Sequence, residues 1–267
     1  MGRARRRRAS GASTGHATDA LIARINDYGE TSAVAVLLTP DRGTVRAVAK
    51  GARRVSNSFK GPLDRGVLYA VRLGRPPREG LSHLHSSRVR EAYPALRRSP
   101  ARFFPANLVL EVADDLMREN EPHPELFRLT VFTLKVLDRA PLDRLALATT
   151  FFLARCVALS GHVPETEHCV VCGRPIPADE RPLLSAALGG VLHPACGQGE
   201  PGARSTRPAV LELLRALWNR SSAEVLTVTP EPGVLRDLRS LLMDWLVHVL
   251  ERRFRASGPA EREFARR

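Results

Sequence analysis

The feature that most constrains this chain is a pair of short knuckles in its third quarter. Cys169-Val170-Val171-Cys172-Gly173 is followed, after twenty intervening residues, by His193-Pro194-Ala195-Cys196. A two-residue spacer lets both side chains of a pair aim at one ion from a tight turn, and Gly173 supplies permissive backbone after the second sulfur. Four soft or borderline donors complete a tetrahedron, which suits zinc and leaves no open position for a nucleophilic water. The expected cofactor is therefore structural zinc held by Cys169, Cys172, His193 and Cys196, with His168 as the competing fourth donor. The other use of Cys169 and Cys172, a redox pair, needs a strand before it and a helix after it, whereas Pro175 and Pro177 follow closely. The forty residues Glu165 to Arg204 are rich in Pro and Gly and would be poorly ordered without a cross-link. Structural zinc, which contributes on the order of 10 kcal/mol in small modules, supplies one. Four cysteines in 267 residues are too few for a disulfide framework. Cys156 shares a helical face with Phe152 and Leu159 and reads as core.

The rest of the chain divides by period. Period-two patterning over Leu21 to Ile25, Val34 to Thr39, Val45 to Ala49, Val67 to Leu73 and Leu81 to Val89 predicts five short strands, the second and third joined by the turn Pro40-Asp41-Arg42-Gly43. Five strands in about 75 residues suggest a small closed antiparallel barrel, and the OB-fold is the commonest such barrel with a nucleic-acid role. Beyond Tyr93-Pro94 the period becomes helical. Leu108, Val112 and Leu116 predict a helix ending near Glu121-Pro122, and Leu126 to Leu137 a buried central one. Further helices are expected from Leu142 to Leu159, from a Ser205 or Thr206 cap through Trp218, and from Gly233 to Phe254. The expected class is α+β multidomain: a basic disordered tail (1–18), an OB-fold β-barrel (19–95), an α-helical domain (96–164 and 205–256), an inserted zinc-finger-like module (165–204) and a basic C-terminal tail (257–267).

Charge follows the same division. The net +13 comes from 41 Lys and Arg against 28 Asp and Glu. Residues 1–18 hold five Arg and no acid, 19–102 hold 16 basic and 7 acidic residues, 103–251 hold 14 and 19, and 252–267 hold 6 and 2. A solvated surface would spread the excess, so its clustering points to a polyanion, nucleic acid or an anionic membrane. No apolar run reaches 18 residues and the Arg-rich start lacks the apolar core of a secretory signal, so a cytoplasmic, nucleoid-associated protein with no membrane partner is expected.

The DNA-binding candidates lie in the barrel. Lys50-Gly51-Ala52-Arg53-Arg54, with Lys60 beyond, can follow a phosphate backbone without reading sequence, and Arg72 and Arg88 widen that surface, joined by Arg75, Arg78 and Arg90. Singly, each arginine reads equally well as a solvated charge. Tyr28, Phe59 and Tyr69 are the stacking candidates, each with core packing as its alternative. There is no Walker A sequence, dinucleotide glycine pattern, HExxH helix or His-x-Glu pair, and Asp114, Asp115 and Glu119 read as a solvated helix face rather than a nuclease site, so no enzyme is expected.

Three stretches carry a resemblance. Asp27-Tyr28-Gly29-Glu30-Thr31-Ser32, then Leu38-Thr39 with Gly43, and Ala49-Lys50-Gly51-Ala52-Arg53-Arg54 with Ser58-Phe59 and Gly61 resemble the amino-terminal signature of the RecO family of bacterial DNA repair proteins. Glu121-Pro122-His123-Pro124-Glu125-Leu126-Phe127 and Cys169 to Gly173 are similar to that family too, and the likeness covers roughly residues 19–256. It implies an OB-fold and a helical domain, often with a four-cysteine zinc site. It also implies a non-catalytic recombination mediator of the RecF pathway that binds single- and double-stranded DNA and anneals complementary strands. Such a mediator works with RecR and single-stranded-DNA-binding protein to load RecA. Lys50, Arg53 and Arg54 match the family's basic motif. Where metal-binding members carry a third cysteine, this chain has Gly189-Gly190-Val191-Leu192-His193. The alternative class is a zinc-containing OB-fold protein of translation or transcription, marked by preference for RNA or a defined sequence.

Overall fold

The computed structural model describes residues 15–54, 59–75, 80–219, 221–225 and 227–266. The barrel strands are β1 (His16–Tyr28), β2 (Ser32–Thr39), β3 (Gly43–Ala49), the two-residue β4 (Phe59–Lys60), β5 (Leu68–Leu73) and β6 (Ser82–Glu91). They run in the order β3-β2-β1-β5-β6, all antiparallel, and a parallel pairing of Ala47 with Ser82 and Val48 with His83 closes the barrel. Ala20, Ile22, Leu37, Val45, Tyr69 and Leu73 fill its interior. Leu21, Ala23 and Leu38 instead pack with the helices, so the middle of β1 is buried on both faces.

The first strand begins at His16, three residues inside the segment expected as a tail. His16 faces Leu73 and Thr18 faces Val71 across β5, and Thr18 Oγ1 donates to Asp41 at 2.7 Å. Backbone pairing with a neighbouring strand orders polar residues that the hydrophobic pattern cannot announce.

The helical domain holds α1 (Ala95–Arg98), α2 (Pro100–Leu116), α3 (Pro124–Arg139), α4 (Leu145–Leu159), the insert strands β7 (Leu183–Ser185), β8 (Gly190–Leu192) and β9 (Arg204–Ser205), then α5 (Pro208–Asn219), α6 (Ser222–Val225), α7 (Pro232–Leu250) and α8 (Ser257–Ala265). The central helix is α4 rather than the segment Leu126–Leu137. With Arg155 as its one charged residue, α4 buries eleven of its fifteen positions, and Phe152, Leu153, Cys156 and Val157 have no exposure. In α3, Arg128 and Lys135 hold one side in solvent. The second helix stops at Leu116, short of Glu121, because the next residues bind the barrel. Thr44 donates through N to Arg118 O and through Oγ1 to Met117 O, both at 3.0 Å. Likewise α7 ends at Leu250 on a left-handed Glu251 rather than at Phe254, and Ser205 lies in β9 rather than capping α5, which starts at Pro208.

The segment expected as a C-terminal tail forms α8. Ala260 is fully buried, and Arg239 of α7, itself 3% exposed, pairs with Glu261 at 2.5 and 2.8 Å beneath the Phe264 ring. A paired, stacked guanidinium lets a helix rich in charge dock on the body.

Candidate nucleic-acid interface and metal centre

The β1–β2 turn and the loop after β3 form one unit at one end of the barrel. Gly51, at φ +68°, turns the chain so that its N–H donates to Ser32 Oγ at 3.3 Å, and the Arg53 N–H donates to Thr31 O at 3.0 Å. The Arg53 guanidinium forms an ion pair with Asp27. The two stretches that carry the amino-terminal resemblance are thus halves of one structure, with Asp27 and Ser32 as anchors that charge-based reasoning does not find. Lys50 and Arg54 are exposed on this unit and line, with Tyr28, Thr31, Ser32 and Val48, a shallow cavity of about 390 Å³.

Of the three aromatic candidates Tyr28 alone faces solvent, at 60% exposure. Phe59 is buried, and Tyr69 fills the barrel, its hydroxyl donating to Pro62 O and accepting from the Asp64 N–H. Both are core, because each points inward from its strand. Arg72 and Arg88 are exposed on β5 and β6, and Lys60, whose side chain lies outside the described residues, is in register with Arg88. Arg72 faces Ala17, at the opposite end of β1 from Tyr28, and so belongs to a different part of the barrel surface from the basic loop. Arg75 is exposed, Arg90 pairs with Asp19 at 3.3 Å, and Arg78 and Ser58 lie outside the described residues.

The two knuckles close on each other as their spacing requires. One ligand atom from each of Cys169, Cys172, His193 and Cys196 lies within 4.8 Å of all the others. Zinc–sulfur bonds of about 2.3 Å set tetrahedral ligand edges of about 3.7 Å, so the four donors fit a zinc ion with a small contraction. The Gly173 N–H donates to Cys169 O at 2.8 Å and the Cys196 N–H to His193 O at 2.9 Å, which fixes each turn. His193 turns Nδ1 toward Cys172 Sγ at 3.5 Å, and its Nε2 lies 3.2 Å from Pro175 O, with Glu180 at 3.8 Å beyond. A carbonyl at Nε2 selects the tautomer that presents Nδ1 to a metal. Burial would raise the Cys169 thiol, but the N–H groups of Cys172, His193 and Val171 and the imidazole hold it down to about 6, as a metal-binding thiolate requires. His168, the competing donor, is outside the cluster, with Nδ1 3.9 Å from Glu165. Cys156 is fully buried, and burial pushes its thiol well up.

Asp114 and Asp115 are not a solvated face. Asp114, 7% exposed, pairs with Arg24 of β1 at 2.7 Å, and Asp115, 10% exposed, pairs with Arg252 beyond α7. Glu119 pairs with Arg46 of β3 at 2.6 Å, and Glu111 accepts the N–H groups of Arg255 and Ala256. The acidic edge of α2 is therefore a joint that binds the barrel on one side and the C-terminal segment on the other.

A closed OB-type barrel with a basic loop face, followed by a helical domain carrying a Cys3His knuckle, defines a multidomain protein of the OB-fold class. The chain belongs to the RecO family of DNA repair proteins. Residues 15–93 match the family model described as Recombination protein O N terminal, and residues 97–258 match Recombination protein O C terminal. The DNA repair protein RecO of Anaeromyxobacter dehalogenans (strain 2CP-C) is 35% identical over 240 residues, 88% of this chain and 92% of that protein. Those of Rhodopirellula baltica (33%, covering 76% and 72%) and Desulforudis audaxviator (32%, covering 88% and 92%) are similar too. Among the described residues no helix is long and apolar enough to cross a membrane.

Proposed function

We propose that this DNA repair protein is a non-catalytic recombination mediator. It binds single- and double-stranded DNA through the barrel, anneals complementary strands and, with RecR, helps load RecA onto DNA coated by single-stranded-DNA-binding protein, at the nucleoid. The observation that carries this reading is the unit made by the β1–β2 turn and the loop after β3, where Lys50 and Arg54 stand beside an exposed Tyr28 on a rigid frame. Exposed cations on fixed backbone neutralise phosphates without reading bases, and an aromatic face adds sequence-tolerant stacking for an unpaired strand. Neutralising two phosphate backbones at once lowers their repulsion, so base pairing decides which strands anneal. Arg53, engaged with Asp27, shapes the loop and adds to its field. Zinc on Cys169, Cys172, His193 and Cys196 is structural here, ordering the insert and supplying no open coordination position.

The test is a binding and annealing series with Lys50, Arg53 and Arg54 replaced together by Ala. Affinity for oligonucleotides of any sequence should fall together, with the salt slope on single strands flattening by about 2 for three lost contacts. Annealing of complementary strands should slow in parallel. An unchanged affinity and slope would remove the loop from the interface. Tighter binding of RNA than of DNA in competition would remove the DNA assignment.

A further inference from the structure

The strand pairing places two histidines on the outside of the barrel next to the basic loop. Strand β6 alternates, with Ser82 and Leu84 buried and His83 and His85 exposed. Its pairing with β5 then slips: Arg72 faces Ser86 but Leu73 faces Leu84, so His85 is the extra residue of a β-bulge. A bulge re-aims side chains, and this one stands His85 beside His83, the rings nearly parallel with centroids 6.2 Å apart. On one side of this pair, Val48 of β3 is in register with His83 and also lines the cavity of Tyr28, Lys50 and Arg54, while Lys50 leaves the strand two residues further on. On the other side Arg72 is exposed on β5.

We propose that His83 and His85 are phosphate contacts that join the basic loop to Arg72 in one strip, and that strand binding tightens as the two imidazoles take up protons. This rests on the reading of the basic loop as a nucleic-acid surface and adds to it both residues and a regulation. Imidazole changes charge across the physiological pH range, and as imidazolium it offers two N–H donors and no acceptor, the pattern a phosphate oxygen takes. The charged groups around the pair are mostly cationic. Strand β3 contributes Lys50 and Arg46, the latter paired with Glu119, and β5 contributes Arg72. The turn after β5 contributes Arg75, and Arg42 donates to Gly74 O at 3.1 Å. The nearby carboxylate, Asp41, is taken by His16 and Thr18. An arriving phosphate is then the anion that favours the imidazolium, so binding and proton uptake are linked.

The experiment uses the full chain and a labelled 30-residue oligothymidine, measured by fluorescence anisotropy at pH 6.0 and 8.0 and fixed ionic strength. Wild type should bind on the order of tenfold tighter at pH 6.0, with a salt slope steeper by about 1.4 for two added cations on a single strand. The double variant His83→Gln with His85→Gln should bind as wild type does at pH 8.0 and gain less than about twofold at pH 6.0. Lys50→Ala should weaken binding at both pH values and keep the pH effect. A double variant with the wild-type pH dependence, or a wild type that binds equally at both pH values, overturns the proposal and leaves the basic loop standing. No binding by wild type at either pH overturns the loop assignment itself.

Discussion

At the scale of single residues, the joint between barrel and helices depends on two side chains that a sequence scan passes over. Burial raises the Asp114 carboxyl above its usual range, and the neighbouring Arg24, Arg252, Arg46 and Arg65 recover only part of this. A carboxyl raised in the folded state carries stability that is greatest below its unfolded value and is lost as pH rises through the folded one. At neutral pH the ionised Asp114 therefore depends on its cation. Arg24→Ala should destabilise by about 1–2 kcal/mol at pH 7.5, discounted because Arg24 is half exposed, and by less at pH 5. Asp114→Asn should cost less than about 1 kcal/mol at pH 7.5. Urea midpoints at the two pH values check both, and the opposite order would refute this account of the joint. Gly43 acts by being small. It sits at φ +60°, and a Cβ there would lie 2.2 Å from Arg118 O and 2.3 Å from Glu121 O, backbone atoms with no room to yield. Gly43→Ala should cost about 2–4 kcal/mol, read as a lower urea midpoint, and should release the hydrogen bonds from Thr44 to Met117 and Arg118.

At the scale of elements, the insert is built in two halves that should respond differently to loss of metal. Its outer knuckles have no apolar core, whereas the β7–β8 hairpin places Leu184 and Val191 in the helical core at 4% and 0% exposure. Chelation, or Cys169→Ser, should release the Gly173 and Cys196 amides to rapid hydrogen exchange while the Val191 amide, bonded to Glu165 O, stays protected. Equal loss of protection across insert and helices would show that the metal holds the whole domain. What was legible in the sequence follows the same division. Knuckle spacing and period-two strands are local signals, and they foretold the Cys3His cluster and the barrel. The relative depth of α3 and α4 was not legible, because both read as apolar runs and only packing tells which is surrounded. Nor was α8, whose charge is neutralised by Arg239 and Glu261 from opposite sides of a contact 22 residues apart in sequence. The basic loop was visible as charge, but its frame of Asp27 and Ser32 and the bulge at His85 exist only once strands are paired.

At the scale of the whole molecule, what matters for a polyanion partner is where the +13 resides. The cations on the barrel side that meets the helices, Arg24 and Arg46, are paired with Asp114 and Glu119, so that part of the positive charge is spent within the molecule. Lys50, Arg72 and Arg88 remain exposed on the barrel, while the body carries an excess of acid. Screening then decides how far the body is felt. The Debye length is about 8 Å at 0.15 M salt and about 30 Å at 0.01 M, so exposed charges on the insert and on α5 act on a barrel-bound strand only in the dilute case. Asp179→Lys together with Glu212→Lys raises the net charge by four, yet should change single-strand affinity by less than about twofold at 0.15 M and tighten it several-fold at 0.01 M. Lys50→Glu, a change of two charges at the strip itself, should weaken binding by more than about tenfold at 0.15 M. Anisotropy titrations of these variants at the two salt concentrations make the comparison. If the body substitutions matched Lys50→Glu in size at 0.15 M, binding would be following total charge, and the division between a cationic barrel and an acidic body would have no bearing on how the protein holds a strand.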